Sequence, residues 1–275
     1  RSVIAELDRD EIQRSALEKE IQIVEAFSTF VPKTIRSQLK SSINSGNLSS
    51  AIVELTTPKK QHVSILFSDY RNYSLRSANI DFIKIELVAS SHPIISITEE
   101  HGGMVQNRGD SILATFMGNG EVKNCAAAIL SGLKSSFNEF ARVTKAGRSS
   151  PDRFMIITSG EAVFCSLGDS SRNELTIAGK PANLAARLDE ITKSPILRKR
   201  LESSPGVLCD YATKATVTGR DGEVVLEEID LASEGIKVRT YSEERRVFFI
   251  PSSVTNVAFF EALLSESMKI EDKAA

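Results

Sequence analysis

Two aspartates stand where hard-oxygen ligands for a divalent cation belong. Asp69 follows the apolar run Val63-Ser64-Ile65-Leu66-Phe67, and Asp110 sits at the tip of an expected hairpin, 104–108 and 111–116. Phosphoryl-type transfer asks little covalent chemistry of a protein. It asks for divalent ions bridging phosphate oxygens, each held by one or two carboxylates. If the two runs pair as neighbouring strands, both carboxylates emerge at one sheet end and share two metals. An Asp after a strand also serves as a turn former, so neither residue alone carries this reading. A third element is Asn183-Leu184-Ala185-Ala186-Arg187, which puts an amide and a guanidinium four residues apart on one helix face. Such a pair suits orienting a ribose and stabilising charge on a phosphate in flight. On its own it is commonly just a solvated face.

These residues need a scaffold, and the hydropathy pattern describes one. Leu7, Leu17, Ile21, Val24, Phe27 and Val31 fall mostly three or four apart, an amphipathic helix ending before Pro32. A short helix over 34–39 and a Ser/Asn/Gly-rich loop over 41–50 follow. A strand over 62–67 and a long helix over 79–101 come next, and Gly102-Gly103 turns into the hairpin that bears Asp110. A helix over 121–144 and a polar loop over 145–152 precede a second predicted hairpin, 154–158 and 162–167, hinged at Ser159-Gly160-Glu161. Then come a strand over 174–178, a helix over 181–192 with Pro181 in its first turn, and strands near 207–209, 224–229 and 245–250. A final amphipathic helix spans 255–270. The order predicts an α+β fold, a mostly antiparallel sheet covered by helices. The expected organisation is an N-terminal helical lead-in and linker over 1–59, a catalytic domain over 60–251, and a C-terminal helix and tail over 252–275.

Composition narrows the partners. Of 275 residues, 41% are hydrophobic and 25% charged, enough to bury a core. A net charge of −2 gives no electrostatic reason to expect nucleic acid or an anionic membrane. No apolar run approaches the ~20 residues of a membrane-spanning helix, and residues 1–10 lack the pattern of a signal peptide. Three cysteines without CxxC spacing and three scattered histidines argue against structural zinc. The expectation is a cytoplasmic protein, or the cytoplasmic part of one.

Three segments together resemble the signature blocks of class III adenylate and guanylate cyclase domains. They are Leu66-Phe67-Ser68-Asp69, Gly102-Gly103 through Gly109-Asp110 to Phe116, and Gly179-Lys180-Pro181-Ala182-Asn183-Leu184-Ala185-Ala186-Arg187. They occur in the family's order, with the two aspartates 41 positions apart. Ser159-Gly160-Glu161 and the lead-in Phe30-Val31-Pro32-Lys33 resemble it too. The resemblance implies conversion of a nucleoside triphosphate to a 3′,5′-cyclic nucleotide and pyrophosphate. Asp69 and Asp110 would bind two Mg²⁺ or Mn²⁺ ions per site, with the carbonyl of Tyr70 as a further ligand. Asn183 would position the ribose and Arg187 would stabilise the transition state, both from the opposite subunit of a head-to-tail homodimer. Lys237 resembles the family's triphosphate-binding lysine.

The base pocket departs from the family's pattern. Four residues before the second aspartate, where adenylate cyclases carry Lys and guanylate cyclases Glu, stands Gln106. Seven residues before the ribose-orienting Asn stands Thr176, which fits some bacterial adenylate cyclases. Arg108 and Tyr73 replace residues that are usually smaller or apolar, and would narrow the pocket toward a smaller base. Two base assignments therefore stay open: a purine, giving cAMP, or a pyrimidine, giving cUMP or cCMP as in the branch acting in antiviral defence. A different class of reading is a catalytically inactive cyclase-like module that binds nucleotide or dimerises in signalling. A polymerase-like transferase lacks a basic groove for its template.

Overall fold

The computed structural model describes residues 33–274 apart from 119, 169–172 and 219–223; the predicted helix over 7–31 lies outside the described residues. The chain divides into two compact units, 1–51 and 52–275. In the first, helix α1 spans Lys33–Asn44 and α2, Leu48–Thr56, begins. The expected loop over 41–50 is thus largely helical. Ile35, Leu39 and Ile43 recur every four residues and carry the helix through its serines.

The second unit is built on one sheet. Its strands are β1 (Lys59–Ser68), β2 (Met104–Arg108), β3 (Ser111–Phe116), β4 (Met155–Gly168), β5 (Asn173–Gly179), β6 (Gly206–Cys209), β7 (Glu227–Asp230) and β8 (Arg246–Pro251). They lie in the order β2-β3-β1-β4-β6-β8-β7, with β5 also on β4. Every described pairing is antiparallel except β4 with β6. The α+β architecture read from the sequence is the one observed.

Helices α3 (Tyr73–Arg76), α4 (Val88–Glu100), α5 (Glu121–Lys145), α6 (Lys180–Ile191), α7 (Pro195–Ser203), α8 (Tyr211–Val217) and α9 (Val254–Ala274) complete the unit. Helix α5 packs on β1, β3, β4 and β6. Its buried run Cys125–Leu130 meets Leu66, Ala114, Ile157, Val207 and Phe248 in the main core. Helix α6 packs on β1 and β4 from the other face: the Thr158 hydroxyl donates to the Pro181 carbonyl at 2.8 Å, while neighbouring Ile157 points into the α5 core. Helix α9 lies against α5, buries Phe260, and pairs Glu261 with Lys134 at 2.8 Å.

The expected hairpin at Ser159-Gly160-Glu161 is a single 14-residue strand, β4. Those three residues pair in unbroken register with Ser64, Val63 and His62. Gly160 adopts φ +148° and turns the strand without ending it. The Ser159 hydroxyl is not a turn group: it is buried and bonded to Ser64 Oγ and Thr213 Oγ1, both at 2.9 Å. The long helix predicted over 79–101 contains a π-helical turn, Phe82–Leu87. That turn brings Phe82 edge-on to Tyr70, with centroids 5.2 Å apart. Helices α7 and α8 were not anticipated from the sequence. Each is capped at its N-terminus by a side chain, Ser194 and Asp210 respectively.

Candidate active site

Central strand β1 reads as a buried run because both its faces are covered: Val63, Ile65 and Leu66 are fully buried. Its pairing with β3 ends at Ser68 opposite Ile112. The chain therefore leaves β1 for Asp69 at the same sheet end where the β2–β3 hairpin turns. That turn is two residues long, Gly109 and Asp110, with Gly109 at φ +71° as its first member. Both carboxylates open into one cleft of about 440 Å³, which Tyr70, Tyr73, Asp189 and Lys193 also line. Burial and then the charge of Asp110 raise the Asp69 carboxyl above its ordinary range, while Arg153 and Lys193 oppose that rise.

The strand-to-helix loop after Asp69 is tied from below. Tyr70 bridges to Arg153, and the Arg71 N–H donates to the Asp152 carbonyl at 2.9 Å. The Tyr70 ring is buried, and its hydroxyl accepts from Arg76 at 3.2 Å. Burial, then the charge of Asp152, push the phenol up to about 12. Burial also pushes the Asp152 carboxyl upward, but the guanidiniums of Arg148 and Arg142 outweigh it and hold that acid low. Arg153 lies deeper still, only 1% exposed, and donates to the carbonyls of Ser68 and Asp110 and the hydroxyls of Ser90 and Ser91.

A second group of sequence-predicted residues gathers elsewhere. Gln106 on β2 donates its amide to the Leu175 carbonyl. Arg108 reaches the Gln106 amide oxygen and the Thr176 hydroxyl, each at 3.4 Å. A strand partway along the hairpin is thereby joined to β5, which leads into α6. On α6, Asn183 is exposed and Arg187 half-buried, paired with Glu190. Neither lines the cleft of Asp69 and Asp110. At about 100° per residue, Asp189 stands roughly 200° around the helix from Arg187. So the same helix turns Asp189 toward Asp69 and Arg187 away from it. Lys237 is exposed between β7 and β8. The structure thus brings Asp69, Tyr70, Tyr73 and Asp110 together, and separately Gln106, Arg108 and Thr176.

Asp189 and Lys193, which line the cleft, and Arg153, buried beneath it, had no signal in the motifs. Asp189 needed the helical wheel read from both sides. Burial, then the charge of Asp69, push its carboxyl up to about 6. Lys193 follows one turn later. The donors of the cleft fit a divalent cation. Two carboxylates converge and repel each other, which a hard cation relieves. Among the described residues, no group of three or more His, Cys, Asp or Glu side chains forms a fuller cage. Mg²⁺-type sites use one or two carboxylates and leave the remaining positions to water and substrate phosphates. No helix among the described residues is long and apolar enough to cross a membrane.

No family model matches the chain. An adenylate cyclase from Anabaena cylindrica is 27% identical over 148 residues, which is 51% of this chain and 29% of that protein. The chain thus spans less than a third of that relative's length. A bacterial light-regulated adenylyl cyclase superposes with a TM-score of 0.66 at 16% identity, over 94% of this chain and 70% of that one. The adenylyl cyclase CyaB from P. aeruginosa does so with a TM-score of 0.58 at 18% identity, over 73% of this chain and 98% of that one. The chain thus has the fold of these adenylyl cyclase structures, and its signature blocks resemble those of class III nucleotidyl cyclase catalytic domains.

Proposed function

We propose that this domain converts a nucleoside triphosphate to its 3′,5′-cyclic monophosphate, at sites shared between two copies of the chain. The observation that carries this reading is the division of α6. Asp69 and Asp110 face a cleft that Asn183 and Arg187 of the same chain turn away from, so each chain offers two complementary halves. A head-to-tail pair brings the halves together twice, a closed C₂ arrangement.

In this reading Asp69 and Asp110, with the Tyr70 carbonyl, hold two Mg²⁺ or Mn²⁺ ions. Bound there, the ions supply charge neutralisation for the triphosphate and acidity to the ribose 3′-hydroxyl. Asn183 of the second copy orients the ribose. The 3′-oxygen forms a bond to the α-phosphorus, the bond to the bridging oxygen breaks in line, and pyrophosphate leaves while the hydroxyl proton passes to solvent. Arg187 donates to the charge that develops on the phosphate, and Lys237 binds the triphosphate tail. The three described cysteines, buried and unpaired, support a cytoplasmic site of action.

The corner of Gln106, Arg108 and Thr176 reads the base. With the Gln106 amide engaged at Leu175 and its oxygen at Arg108, the corner offers chiefly guanidinium donors. Donors favour a base edge carrying a carbonyl acceptor, as in uracil or guanine, over the amino edge of adenine or cytosine. The test is to incubate the purified chain with Mn²⁺ and each of ATP, GTP, CTP and UTP, identifying products by mass. One cyclic monophosphate would support the reading and name the base. No product from any of the four, with dimerisation verified, would overturn it in favour of a non-catalytic module.

A further inference from the structure

Arg153 is the most deeply buried charge near the cleft, and its hydrogen bonds all go to neutral oxygens. Nε donates to Ser90 Oγ at 2.9 Å and one terminal nitrogen to Ser91 Oγ at 2.8 Å. The other terminal nitrogen donates to two carbonyls, that of Asp110 at 2.7 Å and that of Ser68 at 3.3 Å. Those two carbonyls belong to the peptides that carry Asp69 and Asp110 out of the sheet. One guanidinium nitrogen therefore joins the two loops whose side chains must converge. The hydroxyls of α4 fix the fork from behind, and the Tyr70 ring lies 5.2 Å from its central carbon. Burying a charge this completely is costly unless its donors are satisfied. An apolar residue of similar volume would fill the space without that cost.

We propose that Arg153 is a positioning residue. It holds the peptides of Asp69 and Asp110 in the orientation that aims both carboxylates at one cation, before any cation arrives. The inference rests on the reading of Asp69 and Asp110 as metal ligands. A positive charge beside a cation site repels the cation, so charge alone predicts that removing Arg153 tightens metal binding. Positioning predicts the opposite sign, since outer groups that orient ligands are typically worth roughly 10–100-fold in affinity.

The experiment titrates the full chain with Mn²⁺ in the absence of nucleotide. Free metal is followed by electron paramagnetic resonance, and thermal unfolding is recorded in parallel by circular dichroism. Arg153→Met, with unfolding still cooperative, is expected to weaken Mn²⁺ binding by roughly 10–100-fold. Arg153→Lys keeps the charge but cannot span both carbonyls and both hydroxyls, so it is expected to stay weak. Binding in Arg153→Met as tight as wild type or tighter would overturn the proposal, and so would full recovery in Arg153→Lys. If Arg153→Met fails to fold, Ser90→Ala with Ser91→Ala decides. Those changes loosen the fork while leaving the charge, and an unchanged affinity would sink the idea. Asp69→Asn and Asp110→Asn run alongside. If they leave Mn²⁺ affinity intact, the metal-ligand reading itself is what fails, and the proposal falls with it.

Discussion

The cleft of Asp69 and Asp110 and the corner of Gln106, Arg108 and Thr176 are built to different tolerances. Beneath the aspartates the supporting residues are buried and multiply bonded: Arg153 by four donations, Asp152 by Arg142 and Arg148, Tyr70 by Phe82 and Arg76. At the corner, Arg108 is exposed and makes two contacts at 3.4 Å, near the outer limit of a hydrogen bond. Asn183 and Lys237 are exposed. The contrast teaches that the half bearing the aspartates is braced within one chain, while the residues of the other half face outward, where the proposed function needs substrate and a second copy to complete them.

The sharpest break of that contrast is to remove a cleft carboxylate. Asp69→Asn or Asp110→Asn should lower turnover at least about 10³-fold, about 4 kcal/mol of transition-state stabilisation, with the unfolding midpoint scarcely moved. A steady-state assay on the nucleotide identified by mass reads this. Arg187→Ala should cost a similar order, because it removes charge stabilisation made only in the transition state. The two losses lie on opposite halves. Mixing inactive Asp69→Asn with inactive Arg187→Ala should therefore restore about a quarter of wild-type activity, since half the dimers are mixed and each has one intact site. A mixture that stays inactive would mean both halves act within one chain.

How much of this was legible in sequence follows the same divide. The strand ending at Ser68 and the hairpin tipped by Asp110 could be read because apolar runs and glycine turns are local signals. The pairing that brings the aspartates together needed only that β1 and β3 be neighbours. Ser159-Gly160-Glu161 carries the polar and glycine signature of a turn, yet it lies inside a strand. The Ser159 hydroxyl is satisfied by Ser64 and Thr213, partners distant in sequence that no local pattern reveals. Arg153 and Asp189 were invisible for the same reason: their roles come from what the fold sets beside them. The end of helix α1 is hidden by serines that the four-residue spacing of Ile35, Leu39 and Ile43 overrides. The base corner was named residue by residue, but that Arg108 contacts both Gln106 and Thr176 depends on β2 meeting β5, which no motif encodes.

A smaller effect separates the halves by pH. Burial, then the charge of Asp69, raise the Asp189 carboxyl to about 6 from 3.8. An acid raised on folding binds its proton more tightly in the folded chain. Its contribution therefore favours the fold at low pH and fades as pH rises from about 4 through 6. Asp189→Asn is always neutral. In metal-free protein it should match wild type near pH 4 and exceed it by roughly 2 kcal/mol at pH 7.5. Unfolding by urea at the two pH values measures this. Asn183→Ala, on the outward face of the same helix, should stay within about 0.5 kcal/mol of wild type at both. Equal behaviour of the two variants would erase the distinction between the faces of α6.

The smallest effect expected is at Arg108, and it is the one that tells recognition from decoration. The side chain is exposed, so Arg108→Ala should leave stability within about 0.5 kcal/mol of wild type. If the guanidinium only fixes Gln106, the variant frees one amide oxygen and changes the rate for every nucleotide alike. If it reads the base, the loss falls on the preferred nucleotide, and the ratio of kcat/KM between that nucleotide and its nearest competitor should fall about tenfold, about 1.4 kcal/mol. Competing two triphosphates in one reaction and counting both cyclic products by mass measures that ratio without knowing the enzyme concentration. Because the cleft is held by buried links that do not pass through Arg108, Mn²⁺ affinity should stay unchanged in the same variant. A shift in metal affinity would mean that the loosely held half reaches into the rigid one, and that the two are not separately built.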